Sequence, residues 1–480
     1  MAGIEHGAGT PARNVPLVVD LDGTLIFSDL LWESIVLFLK RHLLQAWILP
    51  FWLLRGKAGF KHAVSGGVEL DPAALPYDAA LLEFIRRERD GGREIVLATG
   101  AETRLARLVA NHVGLFDRVL ATDPGVNFTA HNKARALAAQ YGEGGYDYIG
   151  NSTADLPVWL GSRNAYSVTH QPFKLADGRV TSQLGTRRGG IARALLKALR
   201  PRQWMKNLLV FLPMVAGHAL DAGTFGAALF AFLAFSMCAS SAYLLNDALD
   251  AQDDRLHPTK RHRPIANGTL PLGLAMVASP LLAGAALALC AWYSPLLLLA
   301  VGVYFVTTVA YSVYLKRLMM VDIVVLALLY TLRVLGGSAA TGIAPSFWML
   351  AFSFFLFLSL ALLKRHSELA NLARAGKEKT RGRGYTTADH LPIGIMGVNA
   401  AFVAIMVFML YFNSDNVLVL YARPHWLFGT LPLLAFWLGR LWILSFRGEV
   451  NEDPVLYVSK DKTSLAVLAL CAALALIASY

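Results

Sequence analysis

Two patterns divide the chain. Through residue 185 short apolar runs alternate with charged stretches, as in a soluble domain that mixes strands and helices. From about residue 200 to Tyr480 long apolar runs are separated by short polar loops. A helix needs about 20 apolar residues to cross a bilayer core. Nine runs meet or approach that length: 204–219, 225–246, 272–291, 296–315, 319–340, 346–364, 392–412, 426–444 and 464–480. The pattern therefore predicts a helical bundle of nine transmembrane segments. The loops after the second, fourth, sixth and eighth runs hold nearly all the loop Lys and Arg, whereas the opposite loops hold Arg423 alone. Basic loops stay in the cytoplasm, so the first half and the large polar loops are expected there. The membrane is expected to be the inner (plasma) membrane.

One run in the first half is different. Leu43–Leu54, LLQAWILPFWLL, is too short to span. Lys40, Arg41 and His42 precede it, and Arg55, Lys57 and Lys61 follow. Trp47 and Trp52 suit the headgroup region. It reads as a helical insert resting on the cytoplasmic leaflet, or else as a buried contact with the transmembrane half.

Composition sharpens this division. Of the 480 residues, 55% are apolar and 16% charged, and mean hydropathy is +0.47. These values exclude a disordered chain and an all-soluble enzyme. The three cysteines, Cys238, Cys290 and Cys471, lie in apolar runs and imply no disulfide scaffold. The 44 basic residues outnumber the 33 acidic ones, a net charge of +11. With no nucleic-acid-binding motif present, anionic lipid or anionic substrate is the expected partner and nucleic acid is not. The start, Met1–Asn14, lacks the basic-then-apolar order of a signal peptide.

The chemistry of the first half starts at Pro16–Leu25, PLVVDLDGTL. A strand runs into Asp20 and Asp22, whose alternation lets both carboxylates converge past its end as nucleophile and general acid/base. A second strand, Glu94–Ala98, ends in Thr99-Gly100, suited to holding phosphate. Lys133 lies near the start of a helix, and a third strand, Tyr146–Ile149, ends in Gly150-Asn151-Ser152-Thr153-Ala154-Asp155. Ligands of open α/β sheets bind at such strand ends. In this order the four pieces resemble the haloacid dehalogenase (HAD) superfamily over residues 14–180. The resemblance implies an α/β Rossmannoid domain in which Asp20 forms an aspartyl-phosphate and Asp22 is the acid/base. Thr99, Gly100 and Lys133 would then bind the phosphoryl group, and Mg2+ would sit at Asp20, Asn151 and Asp155. Residues 30–85 take the place of a cap. The family usually has an acid where Asn151 stands, so the domain is either a working phosphatase or an inactive docking domain.

In the second half, one run ends in Asn246-Asp247-Ala248-Leu249-Asp250-Ala251-Gln252-Asp253-Asp254. On a continuous helix four carboxylates and one amide share a face, a hard-cation site of the kind that binds Mg2+ and substrate phosphate. His257-Pro258-Thr259-Lys260-Arg261-His262-Arg263 follows. Pro258 ends the helix, and Lys260, Arg261 and Arg263 turn toward the diphosphate. Asp322 and Arg333 lie on one face of the fifth run, where ionisable groups line cavities. Lys364 and Glu368 form an i, i+4 pair, with Arg365 between them and Arg381, Arg383 and Tyr385 beyond.

Asn246–Asp254 together with Asp322 resembles the UbiA superfamily of intramembrane prenyltransferases, which have nine helices and two aspartate-rich sites. Over residues 190–480 the chain is most similar to the decaprenyl-phosphate phosphoribosyltransferases of that superfamily. The similarity rests on Arg200-Pro201-Arg202-Gln203-Trp204-Met205-Lys206-Asn207, on residues 246–268 with HPTKR, on Lys364–Leu369 and on Glu452-Asp453-Pro454. It implies 5-phosphoribosyl diphosphate as donor, a polyprenyl phosphate as acceptor and Mg2+ at Asn246, Asp247, Asp250, Asp254 and Asp322. Arg202, Lys206, Lys260, Arg261, Arg263, Arg333, Lys364, Arg365 and Glu368 would form the substrate-binding set. The alternative is an aromatic prenyltransferase that uses a prenyl diphosphate. The expected layout is a HAD-like domain at 1–185, a basic linker at 186–203 with Arg187 and Arg188, and a UbiA-type transferase at 204–480.

Overall fold

A computed structural model describes residues 15–123, 128–169, 171–184, 190–376, 378, 383–412, 420–450 and 453–479. Arg187, Arg188, Arg381 and Glu452 lie outside them. The chain forms two compact units, and they do not follow chain order. One joins Met1–Leu199 with Asp247–Ala278, and the other joins Arg200–Asn246 with Ser279–Tyr480.

The first unit is built on a parallel sheet ordered β3-β2-β1-β4-β5-β6. Its strands are β1 Leu17–Val19, β2 Ile95–Glu102, β3 Arg118–Thr122, β4 Asp147–Gly150, β5 Ala165–Ser167 and β6 Ser182–Gln183. Strand β1 is central, with Val19 level with Leu97 of β2 and Ile149 of β4. Its run Leu17-Val18-Val19 is apolar throughout because both faces are covered. Leu17 and Val19 enter one core with Ile95, Leu97 and Ile149. Val18 enters the opposite core with Val96, Tyr148 and Trp159.

After β1 the chain leaves the sheet in three helices, α1 Leu30–Arg41, α2 Leu49–Leu53 and α3 Gly56–Gly66. Asp29 starts α1 by accepting from the backbone N–H groups of Leu31 and Trp32, which satisfies donors the helix leaves open. Helix α1 packs on the segment 247–278. Arg255 donates to Glu33 at 2.6 Å with both side chains buried, and Lys40 pairs with Asp253. A side chain at Gly268, where φ is +75, would collide with Phe27, and one at Gly273 would collide with the Trp32 indole. These glycines permit the close approach.

The second unit is helical. Eight helices of the described residues are long and apolar enough to cross a membrane. The protein is therefore an integral multi-pass membrane protein. Nine were expected, and the difference lies at 204–219. That stretch is a 3-10 helix, Pro201–Phe211, followed by a five-residue α-helix, Leu212–Ala216. A 3-10 turn rises about 2 Å per residue against 1.5 Å for α, so the two pieces together climb about 30 Å with fewer residues than an α-helical span needs. Small residues bring the helices close. Ser241 and Ser279 each donate to the other's carbonyl, at 2.7 and 2.9 Å, between helices Ala222–Leu249 and Leu272–Tyr293.

Candidate active sites

In the first unit the site lies past the ends of β1, β2 and β4. The backbone N–H of Asp20 bonds to Ile149 O, which pins the loop against the neighbouring strand. Lys133 Nζ donates to Asp20 Oδ1 at 2.7 Å and to Tyr148 Oη at 2.9 Å, and Tyr148 donates to Asp155 Oδ1 at 2.8 Å. Thr24 Oγ1 donates to Asp20 Oδ2. Asp155 also accepts from the Asn151 and Ser152 N–H groups. Gly23, at φ +72, lies so close to the Asn151 amide that a Cβ would collide with it. Thr99 is buried within β2, where the pairing with β3 becomes irregular after Ala98, and its Oγ1 accepts from Ala101 N–H. Asp20, Lys133, Asn151 and Asp155 are thus drawn together by strand register.

Asp22 has contacts of its own, while the Asp20 carboxylate is near enough to help raise it. Its Oδ1 accepts from Leu30 N–H at the start of α1. It lines a cavity of about 130 Å³ with Asp29, Lys61, Ser65, Ala101 and Glu102. Lys61, on α3, donates to Gly100 O. Burial pushes Asp20 up to about 6 even though Lys133 pulls it down. Burial, with Asp29 beside it, holds Asp22 well above the usual carboxylate range. Burial lowers the Lys61 ammonium, against the attraction of Asp22 and Asp29. Asp29, Lys61 and Tyr148 were not singled out from sequence as members of this site. Lys61 is more than 30 residues from any motif, and only the return path of the insert brings it in.

The first acidic motif is not one continuous helix. The long helix stops at Leu249, Asp250 forms the break, and Ala251–Leu256 restarts it. Asp247 and Asp254 still converge, and the Arg263 guanidinium bridges them at 3.0 and 2.6 Å. Burial raises Asp254, and Arg263 partly offsets this. Asp253 turns away to Lys40. Lys260 and Arg261 are exposed on a 3-10 turn.

In the helical unit Asp322 is fully buried. Its Oδ2 pairs with Arg365 at 2.5 Å and its Oδ1 accepts from Tyr385 Oη at 2.6 Å. Tyr385 Oη in turn accepts from Met320 N–H, where the backbone takes φ +65. Arg365 and Arg383 both pair with Glu368. The structure redistributes three expected partners. Arg333 shares a helix with Asp322 but bonds to Asn207 and Tyr304 at 2.8 and 2.9 Å. Lys364 pairs with Asp453 rather than Glu368, and Lys206 reaches the same Asp453 oxygen at 2.7 Å. Burial favours the neutral acid, but Lys364 and Lys206 outweigh it and hold Asp453 at about 2. Arg202 is exposed. Asn246 lies in the last turn of the helix Ala222–Leu249 and belongs to this unit.

Residues 208–460 match the family model described as the UbiA prenyltransferase family. The chain belongs to the UbiA prenyltransferase family. Residues 17–159 match the haloacid dehalogenase-like hydrolase model, so this UbiA-family enzyme also carries a HAD-like domain. A relative from Sinorhizobium fredii, "Uncharacterized protein y4nM", is 34% identical over 96% of this chain and 90% of its own length. The decaprenyl-phosphate phosphoribosyltransferase of Mycolicibacterium smegmatis is 37% identical over 206 residues, 42% of this chain and 65% of that protein. The match therefore spans a little under two thirds of that relative. Among solved structures, a UbiA homolog from Archaeoglobus fulgidus bound to GPP and Mg2+ is 17% identical, with a TM-score of 0.45, over 58% of this chain and 99% of that one.

Both acidic sites fit Mg2+ by donor chemistry. In each, a protein cation already stands between two carboxylates: Lys133 beside Asp20 and Asp155, and Arg263 between Asp247 and Asp254. Among the described residues no three His, Cys, Asp or Glu side chains converge closely enough to hold an ion by themselves. Asparagine oxygens, water and substrate phosphate have to complete such a shell, as is usual for Mg2+.

Proposed function

We propose that the helical bundle transfers 5-phosphoribose from 5-phosphoribosyl diphosphate to a polyprenyl phosphate, and that the HAD-like domain then removes the 5-phosphate from the lipid product. The likeness to a phosphoribosyltransferase over 206 residues carries this reading. The density of cations supports it. Lys206, Lys364, Arg365 and Arg383 lie in or around buried clusters. Gathering a diphosphate, a 5-phosphate and a lipid phosphate needs such charges, whereas an aromatic acceptor does not.

In the transfer, the bond from ribose C1 to the diphosphate oxygen breaks and a lipid phosphate oxygen bonds to C1. Diphosphate leaves with the electron pair. The acceptor's second pKa is about 6, so it is largely ionised and needs no strong base. Asn246, Asp247, Asp250 and Asp254 are the residues for Mg2+, which when bound neutralises the departing diphosphate. Arg263, Lys260 and Arg261 take diphosphate oxygens. Lys206 and Lys364 exchange Asp453 for a substrate phosphate. Asp322, oriented by Arg365 and Tyr385, positions the ribose or a second ion, and Arg202 meets a phosphate at the entrance. Arg333 fixes Asn207 and through it the 3-10 segment.

In the HAD-like domain Asp20 attacks phosphorus and the sugar oxygen leaves with a proton from Asp22. Water then attacks the aspartyl-phosphate while Asp22 takes a proton back. Burial raises Asp22, which favours the protonated form the first step needs. Lys133, Thr99 and the Gly100 backbone hold the phosphoryl oxygens, and Asp155 with Asn151 completes the Mg2+ set. The bias of Lys and Arg to alternate loops supports a cytoplasmic side of the inner membrane for both reactions.

The test is purified full-length protein with Mg2+, labelled 5-phosphoribosyl diphosphate and polyprenyl phosphate, with lipids resolved by mass. Lipid-linked ribose without the 5-phosphate is expected. Accumulation of lipid-phosphoribose alone would remove the phosphatase half. No labelled lipid, with turnover of a prenyl diphosphate onto an aromatic acceptor instead, would overturn the transferase half.

A further inference from the structure

The insert after β1 exposes apolar surface where a soluble domain would hide it. None of the five residues of α2, Leu49-Pro50-Phe51-Trp52-Leu53, is buried. Trp47 is 65% exposed, Phe51 60%, Leu53 56% and Leu54 84%. Contiguous apolar exposure of this kind marks an interaction surface. Arg55 and Lys57 follow it and are exposed too. The root of the insert is tied to a membrane segment within the same unit. Helix α1 packs by Trp32 against Gly273, in the first turn of the apolar helix Leu272–Tyr293, and by Lys40 against Asp253. At the far end of the tip, α3 carries Lys61 back to the cavity of Asp22 and Asp29.

We propose that residues 30–66 form a membrane-docking arm. Trp47, Phe51, Leu53 and Leu54 seat in the headgroup region of an anionic bilayer, and the arm presents the Asp22–Lys61 cavity to phosphate esters carried on lipid. Three observations select lipid over a protein partner. Exposed aromatics beside exposed cations suit an anionic interface. The arm's first helix packs, through Trp32, against the first turn of a helix apolar and long enough to cross a membrane. No acidic side chain occurs between Leu43 and Val68, so the charged side chains of the tip are all basic. The second half of the proposal rests on the phosphatase reading, but the docking half does not.

Two measurements on full-length protein test it. The first is a Leu54→Cys variant, with Cys471→Ala to leave only the buried Cys238 and Cys290. It is labelled with an environment-sensitive fluorophore and reconstituted into phosphatidylethanolamine–phosphatidylglycerol vesicles. Spin-labelled lipid should quench it much more strongly than the same label at Val180, an exposed site elsewhere in the unit. Equal quenching at the two sites, or a blue-shifted label at Leu54 that spin-labelled lipid does not quench, overturns docking and points to a protein contact. The second is the double variant Trp47→Glu, Leu54→Glu. KM for a lipid-borne phosphomonoester should rise about ten-fold, while hydrolysis of soluble p-nitrophenyl phosphate is unchanged. Quenching at Leu54 with no KM change retires the substrate half only. Loss of both activities together would show that the tip is part of the catalytic fold and not a docking surface.

Discussion

Two of the protein's buried carboxylate–cation clusters are built by different means. In the sheet unit Asp20, Lys133, Tyr148 and Asp155 form a chain whose members sit at strand ends or on the adjacent helix. Backbone N–H groups share the charge: Asp155 accepts two of them besides the tyrosine hydroxyl. In the helical unit Asp322 depends on side chains from distant parts of the sequence, Arg365 and Tyr385. A helix spends its own N–H groups within itself, so a buried acid on a helix has to find its partners on neighbouring elements. The first cluster is therefore tolerant and chemically available. The second is a closed set of charges in which removing one member strands another.

The largest effect should come from the available cluster. Asp20→Asn should reduce phosphate release from the lipid product by about 10⁴-fold, with transfer of label to lipid retained. Comparable loss of both activities would show that the two sites do not work separately. The closed cluster should show its cost in stability. Arg365→Ala leaves Asp322 buried and without its strongest partner, which costs about 3–5 kcal/mol, read as a fall in Tm in detergent. Lys133→Ala should cost less stability, because Asp20 keeps the Thr24 hydroxyl and the Leu21 N–H and Asp155 keeps two backbone N–H groups; an equal fall in Tm would erase the distinction. Tyr385→Phe removes the hydrogen bond donated to Asp322 together with the one accepted from Met320 N–H, and loss of the charged one alone should cost about 1.5–3 kcal/mol. The smallest effect should be at Lys40→Ala. The Lys40–Asp253 pair is largely solvated on the aspartate side, and exposed pairs contribute at most about 1 kcal/mol. A larger fall would mean that α1 depends on this pair to hold the segment 247–278.

The motifs of the sheet unit were legible because a strand end combines period-two alternation with a loop, so residues close in sequence are also close in space. The same reasoning read Asn246–Asp254 as one helical face, and the backbone break at Asp250 changes that picture. Asp247 and Asp254 nonetheless meet, through Arg263. Helical periodicity also put Arg333 on the face of Asp322. It did not show that Asn207 and Tyr304 lie nearer, nor that Lys364 turns to Asp453 and away from Glu368. Period 3.6 tells which residues share a face but carries no information about what that face meets.

What the sequence by itself determined is therefore local. It marked a phosphate-handling strand end at Asp20, apolar runs of membrane length, and an acidic motif followed by a basic one. Each follows from backbone periods and from the cost of burying polar groups. Only the tertiary structure decided that 247–278 joins the sheet unit, that Lys61 enters the Asp22 cavity and that Tyr385 and Arg365 enclose Asp322. These depend on which surfaces of distant segments fit one another, and complementary packing is a property of pairs of segments that neither one carries alone.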